Sequence, residues 1–178
     1  MKGSDYKHIK PNEICGNIFD KIGKEWMLIT AKDKDSGKYN TMTASWGTMG
    51  ILWDKPVLMC VIRPQRYTKE FTENSDIATF TFFDKKYREA LNFCGTKSGR
   101  DYDKAAETGL TPCDDIDGTI YFNEANLVIV GKKLYRGTYD PESFVDPAMP
   151  KKYYPIDDFH AVYYYEIIDV LLKNVGEK

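Results

Sequence analysis

The sequence predicts a mainly β fold, an antiparallel barrel with helical insertions. Six or more segments have the length and apolar content of strands, short turns join them, and few segments have helical spacing. No Gly-x-Gly-x-x-Gly run follows a strand, so a Rossmann domain is not supported. The 178 residues suit one domain, which we expect to span residues 1–178.

The first hairpin is predicted after a polar N-terminal arm. Residues 1–24 have scattered apolar positions and no recognisable chemistry. Residues 25–32 form a compact apolar run of strand length, followed by a charged turn that contains glycine. The partner strand is then residues 39–47.

The middle of the chain holds the most apolar strand. Residues 49–55 contain Gly50 and end before a proline, so a loop is expected there. Residues 56–63 are nearly all apolar and predict a strand buried on both faces. A short helix is predicted over residues 67–74, with Thr68 as N-cap.

Alternating strands and helices follow. Residues 76–83 alternate as in a strand, and residues 84–93 have helical spacing with Asp84 as the expected N-cap. A short helix is expected over residues 101–107. Beyond Gly118 the pattern indicates two strands separated by a turn near residues 123–126.

The last third of the chain ends in a long strand. Residues 141–155 are rich in proline, aspartate and lysine, and we expect them to be an excursion that covers a site or a partner subunit. Residues 159–173 predict a long strand with a run of tyrosines. That run suits either the barrel wall or a subunit interface.

Charge and hydropathy exclude several classes of protein. The net charge is −2, from 25 basic and 27 acidic residues that are interspersed, so no nucleic-acid partner is expected. No apolar run approaches the ~20 residues of a membrane span, and the N-terminus lacks the apolar centre of a signal peptide. We therefore expect no membrane association and a cytoplasmic location.

Cysteine and histidine do not form a metal-binding pattern. The four cysteines are widely spaced, and the two histidines are too few for a metal site. Reduced thiols are expected. Cys60 lies in an apolar strand and is predicted to be a core residue. Cys94 suits core packing or a ligand site.

Residues 40–68 carry the main functional signal. Small and hydroxyl residues lead into the apolar strand, and Arg63, Arg66 and Thr68 follow it. Small side chains allow a planar ring to lie against backbone amides, while arginines and a hydroxyl bind phosphate. If the helix begins near Thr68, its free amides would meet the same phosphate. The alternative interpretation is a simple turn and a solvated strand end.

Three blocks of sequence resemble the flavin reductase-like family. The first is residues 40–47 (NTMTASWG) with Trp53 and Lys55-Pro56, and the second is residues 63–68 (RPQRYT). The third joins residues 92–95 (NFCG) to residues 98–104 (SGRDYDK). The resemblance covers about residues 26–172 and is weakest in the first two dozen residues and in residues 140–155.

The resemblance implies a fold and a cofactor. The family includes flavoredoxins and small flavin mononucleotide (FMN) reductases built on a split β-barrel, so it implies a six-stranded split barrel that binds FMN. It also implies a homodimer with the flavin near the subunit boundary. The implied reaction is hydride transfer from NADH or NADPH to flavin N5, with the chemistry supplied by the cofactor. We therefore expect no catalytic acid, base or nucleophile and no bound metal.

Two other functions remain compatible with the sequence. A flavoredoxin-like protein would retain FMN and exchange electrons with a protein partner. A structural domain on the same barrel would bind no FMN.

The resemblance also implies which residues contact FMN. Backbone amides of residues 43–46 are expected to bind the flavin ring, and the residues around the arginines to bind the phosphate. Trp46 is expected either to stack on the ring or to belong to the core. The candidate cofactor-binding residues are Asn40, Met42, Thr43, Ala44, Ser45, Trp46, Arg63, Pro64, Arg66, Tyr67, Thr68, Ser98, Gly99 and Lys104.

Overall fold

The computed structural model describes residues 5–174, and they form a mainly antiparallel β structure with short helices. The strands are β1 (Tyr6–His8), β2 (Met27–Lys32), β3 (Tyr39–Ala44), β4 (Gly47–Leu52), β5 (Lys55–Ile62), β6 (Ile77–Phe82), β7 (Pro112–Cys113), β8 (Tyr121–Phe122), β9 (Leu127–Thr138) and β10 (Ala161–Lys173). The helices are α1 (Ile18–Asp20), which continues as a wider turn over Lys21–Glu25, α2 (Thr68–Glu73), α3 (Arg88–Thr96), α4 (Lys104–Thr108) and α5 (Ala148–Tyr153).

Eight strands form one open antiparallel sheet. Its order is β3-β2-β6-β9-β10-β5-β4, and β1 pairs with the end of β10. The two edge strands, β3 and β4, follow each other in the chain and are joined only by Ser45 and Trp46. The predicted antiparallel β fold with helical insertions is confirmed, and the sheet is split rather than closed. It has two strands more than the expected six, since β1 and β4 also belong to it.

The long strand β10 organises the sheet. Its whole length pairs with β9, while its first half pairs with β5 and its last three residues pair with β1. Register shifts at Tyr164/Tyr165 and Ile167/Asp169 bend it, which allows one strand to serve both halves. The predicted strand at residues 159–173 is thus confirmed, and Tyr163 and Tyr165 belong to the core.

The apolar strands separate two cores. Met27 and Ile29 of β2 point into the barrel, where they meet Phe80. Leu28 points to the opposite face and packs under α3 against Leu91. Because side chains alternate along a strand, burial on both faces favours a nearly continuous apolar run. Residues 27–31 supply it except at Thr30, whose hydroxyl donates to Thr41 Oγ1 at 2.8 Å.

The loop predicted over residues 49–55 is wrong, because β4 occupies most of it. The strand turns into β5 through Trp53 and Asp54, whose φ angles are 52° and 56°. Two consecutive positive φ angles are typical of a tight two-residue hairpin turn, but neither residue is the glycine or asparagine that signals one. The predicted strand over residues 39–47 ends earlier, at Ala44.

The helix starts differ from the expected ones. Tyr67 is the N-cap of α2, so Thr68 is its first helical residue and not its cap. Asp84 is the N-cap residue of a short 3₁₀ turn, Lys85–Tyr87, that leads into α3, but its side chain makes no capping hydrogen bond and accepts from Asn126 Nδ2 at 3.0 Å. The helix predicted over residues 101–107 begins at Lys104, because the Asp103 carboxylate accepts from two amides of its first turn.

The two strands predicted after Gly118 exist but do not pair with each other. β8 pairs with β7, whereas β9 pairs with β6 and β10. The predicted excursion holds a short turn at Pro141–Ser143 and helix α5. Part of the N-terminal arm, residues 1–4, lies outside the described residues. No helix within residues 5–174 has the length and apolar content needed to cross a membrane.

Candidate functional site

A continuous groove runs along the split in the sheet. One part of it, about 160 Å³, lies beside the end of β3 and Trp46, and the adjoining part, about 270 Å³, lies between the start of α2 and the end of α3. Met42, Arg63 and Arg66 line both parts. We call the first part the ring end and the second part the phosphate end.

The groove gathers most of the predicted site residues. Those that line it are Met42, Thr43, Ala44, Ser45, Trp46, Arg63, Arg66, Tyr67, Thr68, Ser98, Gly99 and Lys104. Two do not. Asn40 lies behind Thr68, to which its Nδ2 donates at 2.9 Å, and Pro64 contributes no groove wall.

The ring end is built on an exposed strand edge. Because β3 pairs only with β2, the backbone groups along its other side make no sheet hydrogen bonds. Thr43 Oγ1 donates to the Leu91 carbonyl of α3 at 2.5 Å, which fixes the strand against that helix. Such an edge offers backbone donors and acceptors to a planar polar ring.

Trp46 forms a wall of the ring end. It is 44% exposed, so it is not a core tryptophan. Its ring centroid lies 5.6 Å from that of Tyr153 and 5.3 Å from that of His160. The three rings make an aromatic border on one side of the groove.

At the phosphate end, Arg66 and Lys104 have no acidic partner within residues 5–174. Arg66 Nη1 donates to the Gly95 carbonyl at 2.5 Å. Lys104 Nζ is buried and donates to the carbonyls of Thr41 and Cys94 at 2.8 and 2.9 Å. These neutral acceptors leave both positive charges uncompensated.

The pKa values of both cations are lowered. Burial, and to a smaller extent the charge of Arg66, reduces the pKa of Lys104 to about 8, although Cys94 opposes the shift. Burial and then the charge of Arg63 lower the pKa of Arg66. A bound anion would relieve the repulsion between these cations and restore their ordinary protonation.

Arg63 is in a different electrostatic position. Its guanidinium forms an ion pair with Asp158 and donates to the Tyr153 carbonyl at 2.9 Å. Gln65 Nε2 donates to the same Asp158 carboxylate at 2.9 Å. Arg63 therefore anchors residues 153–158 beside the groove, and its charge is already paired.

Glycine at position 99 permits a close contact inside the groove. A Cβ atom there would lie 2.0 Å from Asn40 Oδ1, far inside van der Waals contact. The absence of a side chain thus lets the loop after α3 pack on the Asn40 amide, which in turn holds Thr68. Ser98 Oγ accepts from the Arg100 amide at 3.2 Å, so it shapes the same loop.

The amides at the start of α2 are less available than expected. Those of Lys69 and Glu70 donate to the carbonyls of Arg66 and Tyr67 at 2.9 and 3.1 Å. The side chains of the phosphate end are therefore better placed than this helix start to bind an anion.

His160 is a groove residue that the sequence did not reveal. It is 6% exposed, and its Nδ1 lies 2.9 Å from Tyr154 Oη. Burial and the nearby charge of Arg63 lower its pKa to about 4, so the ring is neutral near pH 7. A single histidine at the start of a tyrosine-rich strand carries no sequence signal for this position.

The remaining expectations concern metals and thiols. Within residues 5–174, no group of three or more histidine, cysteine, aspartate or glutamate side chains is placed to hold a metal ion. Cys15, Cys60 and Cys94 are free thiols, and Cys60 and Cys94 are fully buried. Burial raises the pKa of Cys94 to about 11, so it is a protonated packing residue.

The family comparison agrees with this geometry. Residues 19–174 match the flavin reductase like domain. The chain belongs to this family. The match includes both ends of the groove and every strand from β2 to β10.

Solved structures of flavin reductase-like proteins share the fold. An FMN-binding domain of a flavin reductases-like enzyme from Shewanella baltica superposes with a TM-score of 0.67 at 15% identity, covering 97% of this chain and 81% of the other. A putative flavin reductase with a split barrel domain from Shewanella frigidimarina gives 0.67 at 17% identity, covering 94% and 79%. Flavoredoxin from Desulfovibrio vulgaris gives 0.65 at 21% identity, covering 86% and 72%. No curated protein sequence matches the chain.

Proposed function

We propose that the chain is an FMN-binding oxidoreductase, a flavin reductase that transfers hydride from NADH or NADPH to flavin. The observation that carries the proposal is the groove itself. One end of the groove is the open edge of β3, which suits a planar polar ring. The other end holds Arg66 and Lys104, which have no acidic partner among the described residues and suit a phosphate.

The residues of the groove fit FMN. Among the described residues that line it, none is an aspartate or glutamate, so a phosphate meets no like charge. Arg66 and Lys104 supply positive charge, and the Thr68 hydroxyl supplies a further polar group. At the ring end, Ala44 and Ser45 are small enough for a flat ring system to approach the backbone.

The protein's own contribution is binding, orientation and electrostatics. Backbone amides from Thr43 to Trp46 would donate to the ring's carbonyl and nitrogen acceptors, where negative charge grows on reduction. Neutral His160 borders the ring end without adding charge. FMN, when bound, supplies the hydride-accepting chemistry, so no nucleophile or general acid is assigned among these residues.

A flavoredoxin-like electron carrier is the second candidate. Proteins named flavoredoxin from Desulfovibrio vulgaris and Methanosarcina acetivorans share the fold, the latter with a TM-score of 0.66 at 19% identity. The open ring end, with Trp46 44% exposed, would also allow electron exchange with a protein partner.

We further propose a homodimer in which the groove lies near the subunit boundary. Four exposed apolar residues lie on or beside the free edge of β4, and we call them the β4 surface: Phe19, Trp46, Ile51 and Trp53. An unpaired edge with large apolar side chains is typical of an interface. Trp46 belongs to both this surface and the groove.

The free thiols also suit a reducing compartment such as the cytoplasm.

The decisive experiment is a visible spectrum of the protein titrated with FMN, followed by anaerobic addition of NADH and then of NADPH. Saturable binding with rapid bleaching by one nicotinamide is expected and identifies the donor. Binding without bleaching would favour the electron carrier. No binding of FMN would overturn the proposal, and the structural domain would then be the better interpretation.

A further inference from the structure

The aromatic border of the ring end continues into the protein. The His160 ring contacts two others, with its centroid 5.3 Å from that of Trp46 and 5.5 Å from that of Tyr154. The Phe144 ring contacts both Tyr154, at 6.0 Å between centroids, and Tyr139, at 6.1 Å. These five rings, which we call the aromatic path, connect the groove to Tyr139 through consecutive contacts.

The aromatic path is open at its ends and closed in its middle. Trp46 is 44% exposed and Tyr139 is half-buried, whereas Tyr154 and His160 are each only 6% exposed. Tryptophan and tyrosine are the aromatic side chains that lose a single electron most readily. The path therefore places an oxidisable ring at each end and another in its buried middle.

Tyr154 has a hydrogen-bonded base, which lowers the cost of oxidising it. Its Oη lies 2.9 Å from His160 Nδ1, and within residues 5–174 no other hydrogen bond involves this hydroxyl. The hydroxyl therefore donates to Nδ1, which is free to accept because the His160 ring is neutral near pH 7, with a pKa of about 4. A phenol becomes strongly acidic when it loses an electron, so a base in contact with it makes that loss easier.

The other tyrosine beside Trp46 lacks such a base. The Tyr153 ring centroid lies 5.6 Å from that of Trp46, but among the described residues no hydrogen bond involves the Tyr153 hydroxyl. The two neighbouring tyrosines thus differ in where a phenolic proton can go.

We propose that the aromatic path carries oxidising equivalents away from the ring end, by transfer of single electrons from Tyr154 to an oxidised Trp46 and then from Tyr139 to an oxidised Tyr154. The biological use of the path rests on the proposed function, because dioxygen reduced at the ring end would yield oxygen-derived radicals beside Trp46. The path itself requires no bound FMN.

Each step balances in electrons and protons. An oxygen-derived radical takes one electron from Trp46, and the indole proton goes to water. Tyr154 then gives one electron to Trp46 and its hydroxyl proton to His160 Nδ1, while Trp46 regains a proton from water. Next, Tyr139 gives one electron to the Tyr154 radical and its own proton to solvent, and His160 returns its proton to Tyr154 Oη. A soluble thiol finally transfers a hydrogen atom to the Tyr139 radical, so the oxidising equivalent leaves the protein.

The test generates tryptophan radicals in the FMN-free protein and observes where they go. Azide radicals made by pulse radiolysis oxidise tryptophan, and the absorbance of tryptophan and tyrosyl radicals is followed with time. The parent protein carries Trp26→Phe and Trp53→Phe, so that of the three tryptophans only Trp46 remains. Trp53 must be removed because its ring centroid lies 6.0 Å from that of Tyr164, which would allow a separate transfer.

In the parent, the tryptophan radical should disappear as a tyrosyl radical forms, at a rate independent of protein concentration. Tyr154→Phe keeps the ring but removes the hydroxyl beside the base, and it should slow this transfer by about tenfold or more. Tyr153→Phe is the matched control, because Tyr153 also contacts Trp46, and it should change the rate by less than about twofold. Deuterated water should slow the transfer in the parent and not the residual transfer in Tyr154→Phe, since proton transfer to His160 accompanies only the former.

Other results would overturn the proposal in whole or in part. Equal rates in the parent and in Tyr154→Phe, or a larger effect of Tyr153→Phe, would remove Tyr154 from the path. Tyr139→Phe should leave the first transfer unchanged and prolong the Tyr154 radical, as seen by electron paramagnetic resonance of frozen samples, and an unchanged lifetime would exclude the exit through Tyr139. Because no flavin is present, FMN binding without radical transfer would remove the path alone, and radical transfer without FMN binding would remove only the proposed function.

Discussion

The two groove arginines look equivalent in the sequence but have different surroundings in the structure. Within residues 5–174, the Arg66 guanidinium hydrogen-bonds only to a carbonyl, whereas Arg63 is paired with Asp158 and also donates to the Tyr153 carbonyl. An arginine whose charge is already paired gains less from a new anion. We therefore propose Arg66 as the primary phosphate ligand and Arg63 as the anchor of the neighbouring segment.

Replacing Arg66 tests this division. Arg66→Ala should weaken FMN binding by about 1.5 to 3 kcal/mol, because a charge-assisted hydrogen bond to phosphate is lost. Riboflavin, which lacks the phosphate, should bind wild type and variant equally. Both constants are measured by fluorescence titration. An unchanged FMN affinity would remove Arg66 from the site.

The lowered pKa of Lys104 predicts that FMN binding depends on pH. Its pKa of about 8 means that the free protein carries this charge below pH 8 and loses it above. Since the phosphate prefers the charged form, FMN affinity should fall as pH rises through 8, by up to about tenfold per pH unit.

The control for this prediction is a variant without the charge. Lys104→Met should bind FMN more weakly at pH 7 and show no such fall between pH 7 and 9, as measured by fluorescence titration. A wild-type affinity that stays flat across this range would mean that Lys104 does not contact the phosphate.

At the scale of elements, glycine 47 controls how β4 joins the sheet. A Cβ atom at Gly47 would lie 2.5 Å from the Met59 carbonyl oxygen of β5, whereas one at Gly50 would meet nothing within 4 Å. Both residues belong to β4. Comparing substitutions at the two positions therefore distinguishes the effect of the backbone contact from the effect of strand propensity. The Met59 oxygen is backbone and cannot move aside as a side chain would.

Alanine at these two positions should therefore act differently. Gly47→Ala should lower the free energy of unfolding by about 1 to 3 kcal/mol, because the hairpin must shift to relieve the overlap. Gly50→Ala should change it by less than about 0.5 kcal/mol, as is usual for exposed positions. Chemical denaturation of both variants measures the difference, and equal effects would contradict the close contact.

The sequence predicted elements best where burial dictates composition. Residues 56–63 are apolar because β5 is buried, and β5 was predicted almost to the residue. β4 was missed because it is a half-exposed edge strand whose turn uses Trp53 and Asp54 instead of glycine. Local composition cannot report a strand that is specified by pairing with its neighbour.

Only some residues of the candidate site could be predicted from local sequence. Residues 42–46 and 66–68 were predictable because they are contiguous and resemble family motifs. His160, which lines the groove, and Asp158, which pairs with Arg63, were not predictable, because both lie almost one hundred residues from Arg63 in the chain. Their roles depend on the long-range pairing of β10 with β5, which no local pattern encodes.

At the scale of the whole molecule, the free edge of β4 is left uncovered by the described residues. The split places β4 at the end of the sheet, with Ile51 75% exposed. Monomeric proteins usually protect such edges with charge, proline or a covering segment. Here Ile51 and Trp53 expose large apolar side chains, and the groove opens beside them at Trp46. Pairing of two subunits along this edge would therefore also enclose the ring end.

This arrangement predicts how a single charge should affect assembly. Ile51→Lys places a charge on the β4 surface and should convert a dimer into a monomer, measured by size-exclusion chromatography with light scattering. Ile156→Lys is the matched control, because Ile156 is 77% exposed but lies in the segment after α5 and not on β4. Its mass should remain that of the wild type.

The same pair of variants tests whether assembly and cofactor binding are linked. If the subunit boundary closes the ring end, monomeric Ile51→Lys should bind FMN more weakly than Ile156→Lys, although Ile51 does not line the groove. Because binding that occurs only in the dimer stabilises the dimer, added FMN should also shift Ile51→Lys back toward the dimer. A wild-type protein that is monomeric at all concentrations would exclude the interface, and a monomeric variant with unchanged FMN affinity would place the boundary away from the groove.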